Sequence, residues 1–298
     1  MENQAIIITG ATSGMGYEAA KILSKSGKTL ILVGRNEAKL AATKSKLTGE
    51  IITVKCDFSD LESVKSAANE IIALNVELVG LVNNAGIMYA GTKKSAQNYD
   101  LTMATNFFGP FMFTEMLLSH LTENARIEFT VSAVEDPERK FANRAGFRGG
   151  KLTTIANAAV GKFAENGSKN AGFDAYATSK QALLAYVFAL AEQNPNFKIN
   201  ALEPGVTLGT NLGMEEQNAA VKFIARRIFP FVAPIAANFK YMSTPKKAGK
   251  LIAHLADEIN VSGKYFDEKG NEMKSSKLLH DRNFCQKVAT ETHEFLQL

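Results

Sequence analysis

Only two cysteines, Cys56 and Cys285, occur among the 298 residues. They stand far apart in the chain, which excludes a disulfide framework and a cysteine-based metal motif and fits a reducing compartment. Four histidines, His120, His254, His280 and His293, are scattered with no pair at ligand spacing, so no metal site is expected. Excess charge of one sign is also scarce. The formal net charge is +4, and the densest basic stretches are no longer than Ala225-Arg-Arg227 and Pro245-Lys-Lys247, so a nucleic-acid partner is not expected. No run of about 18 apolar residues exists to span a bilayer, so no stable membrane insertion is expected. Met1 leads straight into an apolar run, so no signal peptide is expected and the protein is assigned to the cytoplasm. There is no internal repeat or low-complexity tract. The chain is 46% hydrophobic and 21% charged, which suits one large α/β domain with a full core.

The chain is organised around Thr9-Gly-Ala-Thr-Ser-Gly-Met-Gly16. The run Ala5-Ile-Ile-Ile8 before it reads as a parallel strand buried on both faces, and Tyr17 to Ser26 after it reads as a helix. Between them Gly10 would turn the chain, Gly14 would let backbone approach a pyrophosphate, and Gly16 would let the helix pack against the strand. The positive end of that helix would face the phosphates. The competing reading is an ordinary strand-to-helix turn.

Further strands are predicted at Thr29–Val33, Ile51–Lys55, Leu78–Val82, Arg126–Val131, Phe197–Leu202 and Val261–Phe266, with helices at Glu37–Leu47, Gln97–His120 and Pro245–Asp257. Asp57 or Ser59 could cap the helix that begins near Asp60. Asn106 falls inside the long helix, a poor place for a side chain that competes for backbone bonds. The segment 135–172 is irregular and rich in Gly, Asn, Ala, Lys and Arg, as an insertion at a sheet edge would be. Tyr176 and Lys180 stand one helical turn apart on one face, near enough for an ammonium to favour the phenolate of a Tyr whose free pKa is about 10. The segment 206–243 contains Ile228-Phe-Pro-Phe-Val-Ala-Pro-Ile235, whose two prolines disfavour a membrane-surface helix and suit a substrate flap.

Thr9-Gly-x-x-x-Gly-x-Gly16, Asn83-Asn-Ala-Gly86, Asn106-Phe-Phe-Gly109, Tyr176-x-x-x-Lys180 and Pro204-Gly205 occur in the order that resembles the classical short-chain dehydrogenase/reductase family. Val261-Ser-Gly-Lys-Tyr-Phe266 resembles the corresponding strand of its retinol-dehydrogenase-like members, and the insertion before Tyr176 resembles its carbonyl-reductase-like members. The resemblance implies a doubly wound Rossmann-type three-layer domain over residues 1–298, with a parallel sheet of about seven strands in the order 3-2-1-4-5-6-7. It implies cofactor contacts from Thr9, Gly10, Thr12, Ser13, Gly14, Met15, Gly16, Asp57, Phe58, Asn83, Ala85, Gly86, Tyr176, Lys180, Pro204, Gly205, Val206 and Thr207. Thr210 is an alternative to Thr207.

Asp57 would hold the adenine amino group. Gly34 stands where NAD-using members tend to carry Asp, and Arg35 follows it, so NADP(H) is expected over NAD(H). The resemblance also assigns the chemistry. Tyr176 would be the general acid/base, Lys180 would lower its pKa and bind ribose, Asn106 would anchor a relay water, and a serine would bind the substrate carbonyl. Counting from Arg126-Ile127 puts Ser132 at that place; counting from the Val-Ser pair puts Ala133 there.

The expected reaction is NADP(H)-linked interconversion of a carbonyl, of lipophilic type, and an alcohol. A non-catalytic NADP(H) sensor is the rival from another class. An extended-type epimerase or dehydratase shares Tyr-x-x-x-Lys but normally has Gly-x-x-Gly-x-x-Gly spacing, which Gly10, Gly14 and Gly16 do not follow. In carbonyl-reductase-like members such an insertion covers the helix face that otherwise dimerises, so the resemblance favours a monomer.

Overall fold

Alternate residues of the first strands face opposite ways, and this sets the layering. In β1 (Gln4–Thr9) and β2 (Thr29–Gly34), Ile6, Ile8, Leu30 and Leu32 join one apolar core, while Ala5, Ile7, Ile31 and Val33 join another. A strand apolar on both faces needs helices on both sides. The computed structural model, described for residues 3–89, 91, 93–207 and 241–298, shows this arrangement.

Helices α1 (Gly14–Leu23), α2 (Glu37–Lys44), α3 (Leu61–Ala73) and α5 (Gly109–Leu118) alternate with β3 (Ile51–Lys55), β4 (Glu77–Asn83) and β5 (Leu121–Thr130). Between β4 and α5 lie α4 (Leu101–Met103) and a π-helical segment, Ala104–Phe108. After β5 come short α6 (Lys140–Arg144) and α7 (Ile155–Ala159), long α8 (Ala171–Gln193) and β6 (Lys198–Leu202). A minor pair, β7 (Val206–Thr207) and β8 (Met242–Ser243), precedes α9 (Pro245–Asp257), β9 (Lys264–Phe266) and α10 (Arg282–Leu296).

The main sheet has seven strands in the order β3-β2-β1-β4-β5-β6-β9, and every pairing is parallel. The expected order and strand number hold, with β9 as the seventh strand. One core contains Leu40 of α2 and Ile252 and Leu255 of α9; the other contains Val64 and Ile71 of α3, Phe111 and Phe113 of α5, and Leu184 and Val187 of α8.

Gly249 on α9 lies against α1 so closely that a Cβ there would stand 2.5 Å from Glu18 Cβ and 2.8 Å from the Met15 carbonyl oxygen. This contact seats α1, and therefore the glycine loop before it. The tail forms α10, which packs on α8 and α7 and sets Phe295 against Tyr99 and Phe108 at 5.3 and 5.6 Å between ring centres. No helix among the described residues is long and apolar enough to cross a membrane.

The long helix expected over 97–120 is corrected. It begins at Leu101, where Asp100 caps the N–H groups of Thr102 and Met103, and widens to π-helix at 104–108. The insertion is strapped to α8: the Thr178 hydroxyl accepts from Lys151 N–H at 2.9 Å and Gln181 Oε1 from Leu152 N–H at 3.1 Å. Most of the 206–243 flap, including Thr210 and Phe229, lies outside the described residues.

Candidate active site

The carboxyl ends of β1 and β4 are stitched by one threonine. Thr9 Oγ1 accepts from the N–H groups of Asn84 and Ala85, both at 2.9 Å, and Asn84 Nδ2 donates back to the Thr9 carbonyl at 2.9 Å. Gly10 and Gly14 have φ of +70° and +57°, backbone that other residues rarely adopt. A Cβ on Gly16 would stand 2.4 Å from the Gly10 carbonyl oxygen and 2.5 Å from Asn84 Nδ2. Gly10 therefore turns the chain and Gly16 lets α1 approach the loop, as their places suggest, and Gly14 adds a second bend of positive φ.

Ser13 is extended at the N-cap of α1 and makes no side-chain capping bond, so the helix opens onto the loop with its first N–H groups toward an incoming anion. Thr12 and Met15 complete this turn, Met15 with its side chain against the α1–α9 core.

Two candidate cofactor residues look different in three dimensions. Phe58 is buried and packs edge-on to Phe113 at 5.4 Å, so only its backbone remains to face a ligand. Asn83 is buried too, with Nδ2 donating to Thr114 Oγ1 at 3.0 Å, a brace under the site. Asp57 is not the cap of α3: Asp60 takes that role through the Glu62 N–H, while Asp57 Oδ1 closes its own turn on the N–H and hydroxyl of Ser59. Arg35 is exposed at the end of β2, beside Asn36, which caps α2.

Asn106 is 1% exposed, which rules out a solvent-facing role. Its Oδ1 accepts from Ile87 N–H and its Nδ2 donates to the Ile87 carbonyl, both at 2.8 Å; Nδ2 also reaches Ser179 Oγ at 3.1 Å. The π segment is the local consequence, since helix widening marks places where a side chain is re-aimed. Gly86 closes the space between Asn106 and α8. A Cβ there would stand 3.3 Å from Asn106 Oδ1 and 3.7 Å from Lys180 Nζ, so the glycine of Asn-Asn-Ala-Gly keeps that side of the site open.

On α8, Tyr176 and Lys180 share a face as expected. Lys180 Nζ is 5.8 Å from the Tyr176 ring centre and donates to the Thr130 carbonyl at 2.9 Å. Burial lowers the Lys180 pKa to about 8, against the pull of the Glu203 and Glu128 carboxylates. Tyr176 departs from expectation. Burial pushes its phenol up, the nearby Glu203 carboxylate pushes the same way, and the Ser132 hydroxyl acts against both.

Ser132, at the start of the turn after β5, lies near enough to Tyr176 and Glu203 to pull the pKa of each down, and the neighbouring Ala133 gives its N–H to Glu203 Oε2. Of the two counts, the one ending at Ser132 puts a hydroxyl near the tyrosine. An apolar wall stands beside it: Phe147 stacks on Phe173 at 4.2 Å and packs near Tyr176 with Met88 and Val134.

Past the Pro204–Gly205 turn, Gly205 has φ of +73°, Val206 N–H donates to the Tyr241 carbonyl at 2.9 Å, and Thr207 Oγ1 donates to the Gly205 carbonyl at 3.1 Å.

Sequence reasoning missed two carboxylates. Glu203 stands between the strand Phe197–Leu202 and the Pro204–Gly205 turn, where nothing local marks it. Glu128 is fully buried in β5, its Oε1 accepting from Thr130 Oγ1 at 3.1 Å and its pKa raised by burial to about 8. A charged residue in the middle of an apolar central strand was the available signal.

The glycine loop, the open turn of α1, the space under Gly86 and the Tyr176–Lys180 pair together fit a dinucleotide, its phosphates at α1 and its reactive end at Tyr176. The fold is a doubly wound α/β domain, and the site has the form of a dinucleotide cradle. Comparison with known proteins agrees: the short chain dehydrogenase family model matches residues 4–142. A short-chain dehydrogenase/reductase from Armillaria gallica is 32% identical over 292 residues, 93% of this chain and 88% of that one. Dehydrogenase/reductase SDR family member 7B from Xenopus tropicalis is 35% identical over 169 residues, 52% of this chain and 54% of that one, so the match spans about half of that relative's length. A solved short chain dehydrogenase from Burkholderia cenocepacia in complex with NADP superposes with a TM-score of 0.63 at 20% identity, over 91% of this chain and 98% of that one. The chain belongs to the short-chain dehydrogenase/reductase family.

Proposed function

We propose that the protein is an NADP(H)-dependent oxidoreductase that interconverts a lipophilic aldehyde or ketone and its alcohol. The observation that carries this reading is the convergence of Asn106, Ser132, Tyr176 and Lys180 at the end of the nucleotide cradle. When bound, the cofactor supplies or accepts hydride. The residues do the rest. Ser132 orients the carbonyl oxygen and Tyr176 hands a proton to it or takes one from the alcohol. Lys180 holds a positive charge beside the phenol and binds the nicotinamide ribose, and Asn106 anchors the water that replenishes the proton.

The preference for NADP(H) rests on Arg35 with Gly34 at the end of β2, and on the NADP complex of the Burkholderia relative. The substrate class rests on the wall of Phe147, Phe173, Met88 and Val134 beside Tyr176. Residues 1–298 act as a single catalytic domain, with 135–172 as substrate-side insertion and 206–243 as flap. A monomer is proposed because α10 lies over α8. The free, buried thiols of Cys56 and Cys285 suit a cytoplasmic location.

The test is NADPH oxidation by the purified protein across aromatic aldehydes, quinones, diketones, retinal and steroid ketones, with NADH as a second donor and Tyr176→Phe in parallel. Turnover with NADPH that disappears in Tyr176→Phe is expected. Tight NADPH binding without Tyr176-dependent turnover on any of them would replace this reading with a cofactor sensor.

A further inference from the structure

The tail of the chain has no part in the proposed chemistry, yet one of its side chains reaches the segment that carries Asn106. In α10, the ring centre of Phe295 lies 5.3 Å from that of Tyr99 and 5.6 Å from that of Phe108, and Tyr99 and Phe108 are themselves 5.5 Å apart. The three rings close a triangle, each pair within the range of favourable aromatic contact. Phe108 is fully buried and is the last residue of the π segment.

Asn106 leaves that segment on another side. Positions two apart on a helix do not face each other, so with Phe108 turned to α10, Asn106 is turned to Ile87 and α8. Both protons of its amide are engaged, by the Ile87 carbonyl at 2.8 Å and by Ser179 Oγ at 3.1 Å, and its Oδ1 accepts from Ile87 N–H at 2.8 Å. Ser179 Oγ in turn donates to the Tyr176 carbonyl at 2.7 Å. The amide is thereby tied to the turn of α8 that presents Tyr176 and Lys180.

Three bonds from one side chain tolerate little rotation, and π-helical backbone is a rare state that needs surrounding packing to select it. A row of aromatic rings supplies that packing. Phe107 lies 5.4 Å from Phe108 and 5.9 Å from Phe111, and Phe111 lies 4.3 Å from Tyr186 of α8. Tyr186 stands at one end of the row and Phe295 at the other. The helix that carries Phe295 is itself seated by the buried side chains of Cys285, Val288, Ala289 and Thr292.

We infer that Phe295 is a positioning residue: α10 braces the π segment through Phe108 and so holds the Asn106 amide on Ile87 and Ser179. Its consequence for turnover rests on the reductase reading above. Its consequence for the Ile87 amide does not.

Two measurements test it, one without turnover. The first is hydrogen exchange at Ile87 N–H, the amide held by Asn106 Oδ1. Phe295→Ala is expected to speed this exchange about fivefold or more, as local loosening does, and to leave the amides of β1 and β4 unchanged. Val288→Ala, which removes buried apolar volume from the same helix about two turns earlier, should leave Ile87 as it is. The second is NADPH-linked reduction. Phe295→Ala should lower kcat about tenfold, less than the loss of a whole acid–base assistant, with KM and the Kd for NADPH unchanged. In an Asn106→Ala background the same substitution should cost nothing further, because the two changes act through one group. Phe295→Leu, which keeps much of the volume without the ring, serves if the Ala variant does not fold.

Unchanged exchange at Ile87 in the Phe295 variant, equal acceleration in Val288→Ala, or an unaltered kcat would overturn the inference. Faster exchange in a protein that reduces no carbonyl would instead sink the reductase reading and leave the brace on Asn106 in place.

Discussion

Lys180 holds its ammonium 2.9 Å from the carbonyl oxygen of Thr130, at the end of β5, while standing 5.8 Å from the centre of the Tyr176 ring. The strand, not the tyrosine, fixes the cation. A buried ammonium is tolerated only with partners, and here the Thr130 carbonyl accepts from it while Glu203 and Glu128 raise its pKa against the burial. Lys180 thus presents a positive charge beside the phenol from a fixed position.

Lys180→Met should separate stability from activity. The substitution removes the charge next to Tyr176 and is expected to lower Tyr176-dependent turnover by about 100-fold or more, in the range of a lost acid–base assistant. It also removes a buried cation whose pKa is depressed to about 8. Below that pH the folded state bears the burial penalty of the charged amine; above the ordinary lysine range neither state does, so this group makes stability rise between about pH 8 and pH 10.5. In urea unfolding, that rise should be missing from Lys180→Met. A rise of equal size in both proteins would contradict the burial argument.

Ser132→Ala and Ala133→Ser discriminate the two counts left open by the sequence. Ser132→Ala should cost about 100- to 1,000-fold in kcat/KM, the usual range for one lost carbonyl donor. Adding Ala133→Ser to it should restore nothing, because residue 133 meets the Tyr176–Glu203 cluster through its N–H alone. Recovery in the double variant would transfer the donor role to position 133.

Gly16→Ala tests the nucleotide cradle. The added Cβ would meet the Gly10 carbonyl oxygen at 2.4 Å and, at 2.5 Å, Asn84 Nδ2, a side-chain amide pinned to the Thr9 carbonyl. Overpacking of this kind costs about 1–3 kcal/mol. A lower melting temperature and a weaker Kd for NADPH are expected together, since the same shift moves the opening turn of α1. Arg35→Ala should weaken NADPH by about tenfold or more relative to NADH, as loss of a phosphate-pairing guanidinium would. Equal loss of both cofactors would remove the basis for the NADP(H) preference.

What the chain disclosed in one dimension was whatever depends on local pattern. The apolar runs of β1 and β2, the Gly10–Gly14–Gly16 spacing and the one-turn separation of Tyr176 and Lys180 each carry their consequence within a few residues, and the parallel order follows from alternating strands and helices. Asn106 was legible as an oddity in a helix, but not the π segment that turns it toward Ile87 and Ser179, because those partners lie 19 and 73 positions away. The phenol of Tyr176 was misjudged for a related reason. A helical neighbour is visible in sequence, whereas burial and a carboxylate arriving from the β6 turn are not. Glu203 reads as an ordinary turn residue until β5 and β6 are laid side by side.

Glu128 makes the last prediction, and its sign is opposite to that of Lys180. It is fully buried in β5; Oε1 accepts from Thr130 Oγ1, and Oε2 is buried with no hydrogen-bond partner among the described residues. Burial lifts its pKa from 4.5 to about 8, with the Thr130 bond and Lys180 pulling the other way. The folded protein therefore binds a proton that the unfolded chain releases between these values, and the group makes stability fall as pH rises through that window. Glu128→Gln keeps the shape and the bond to Thr130 without the ionisation. In urea unfolding at pH 5 and pH 8, the unmodified protein should lose a few kcal/mol that the variant retains, an order of magnitude set by the linkage relation. The variant should therefore be the more stable at pH 8. Because Glu128 also helps keep Lys180 charged, the variant should lose turnover at a lower alkaline pH than the unmodified protein. A stability difference between the two proteins that does not change with pH would show that Glu128 is ionised in the fold.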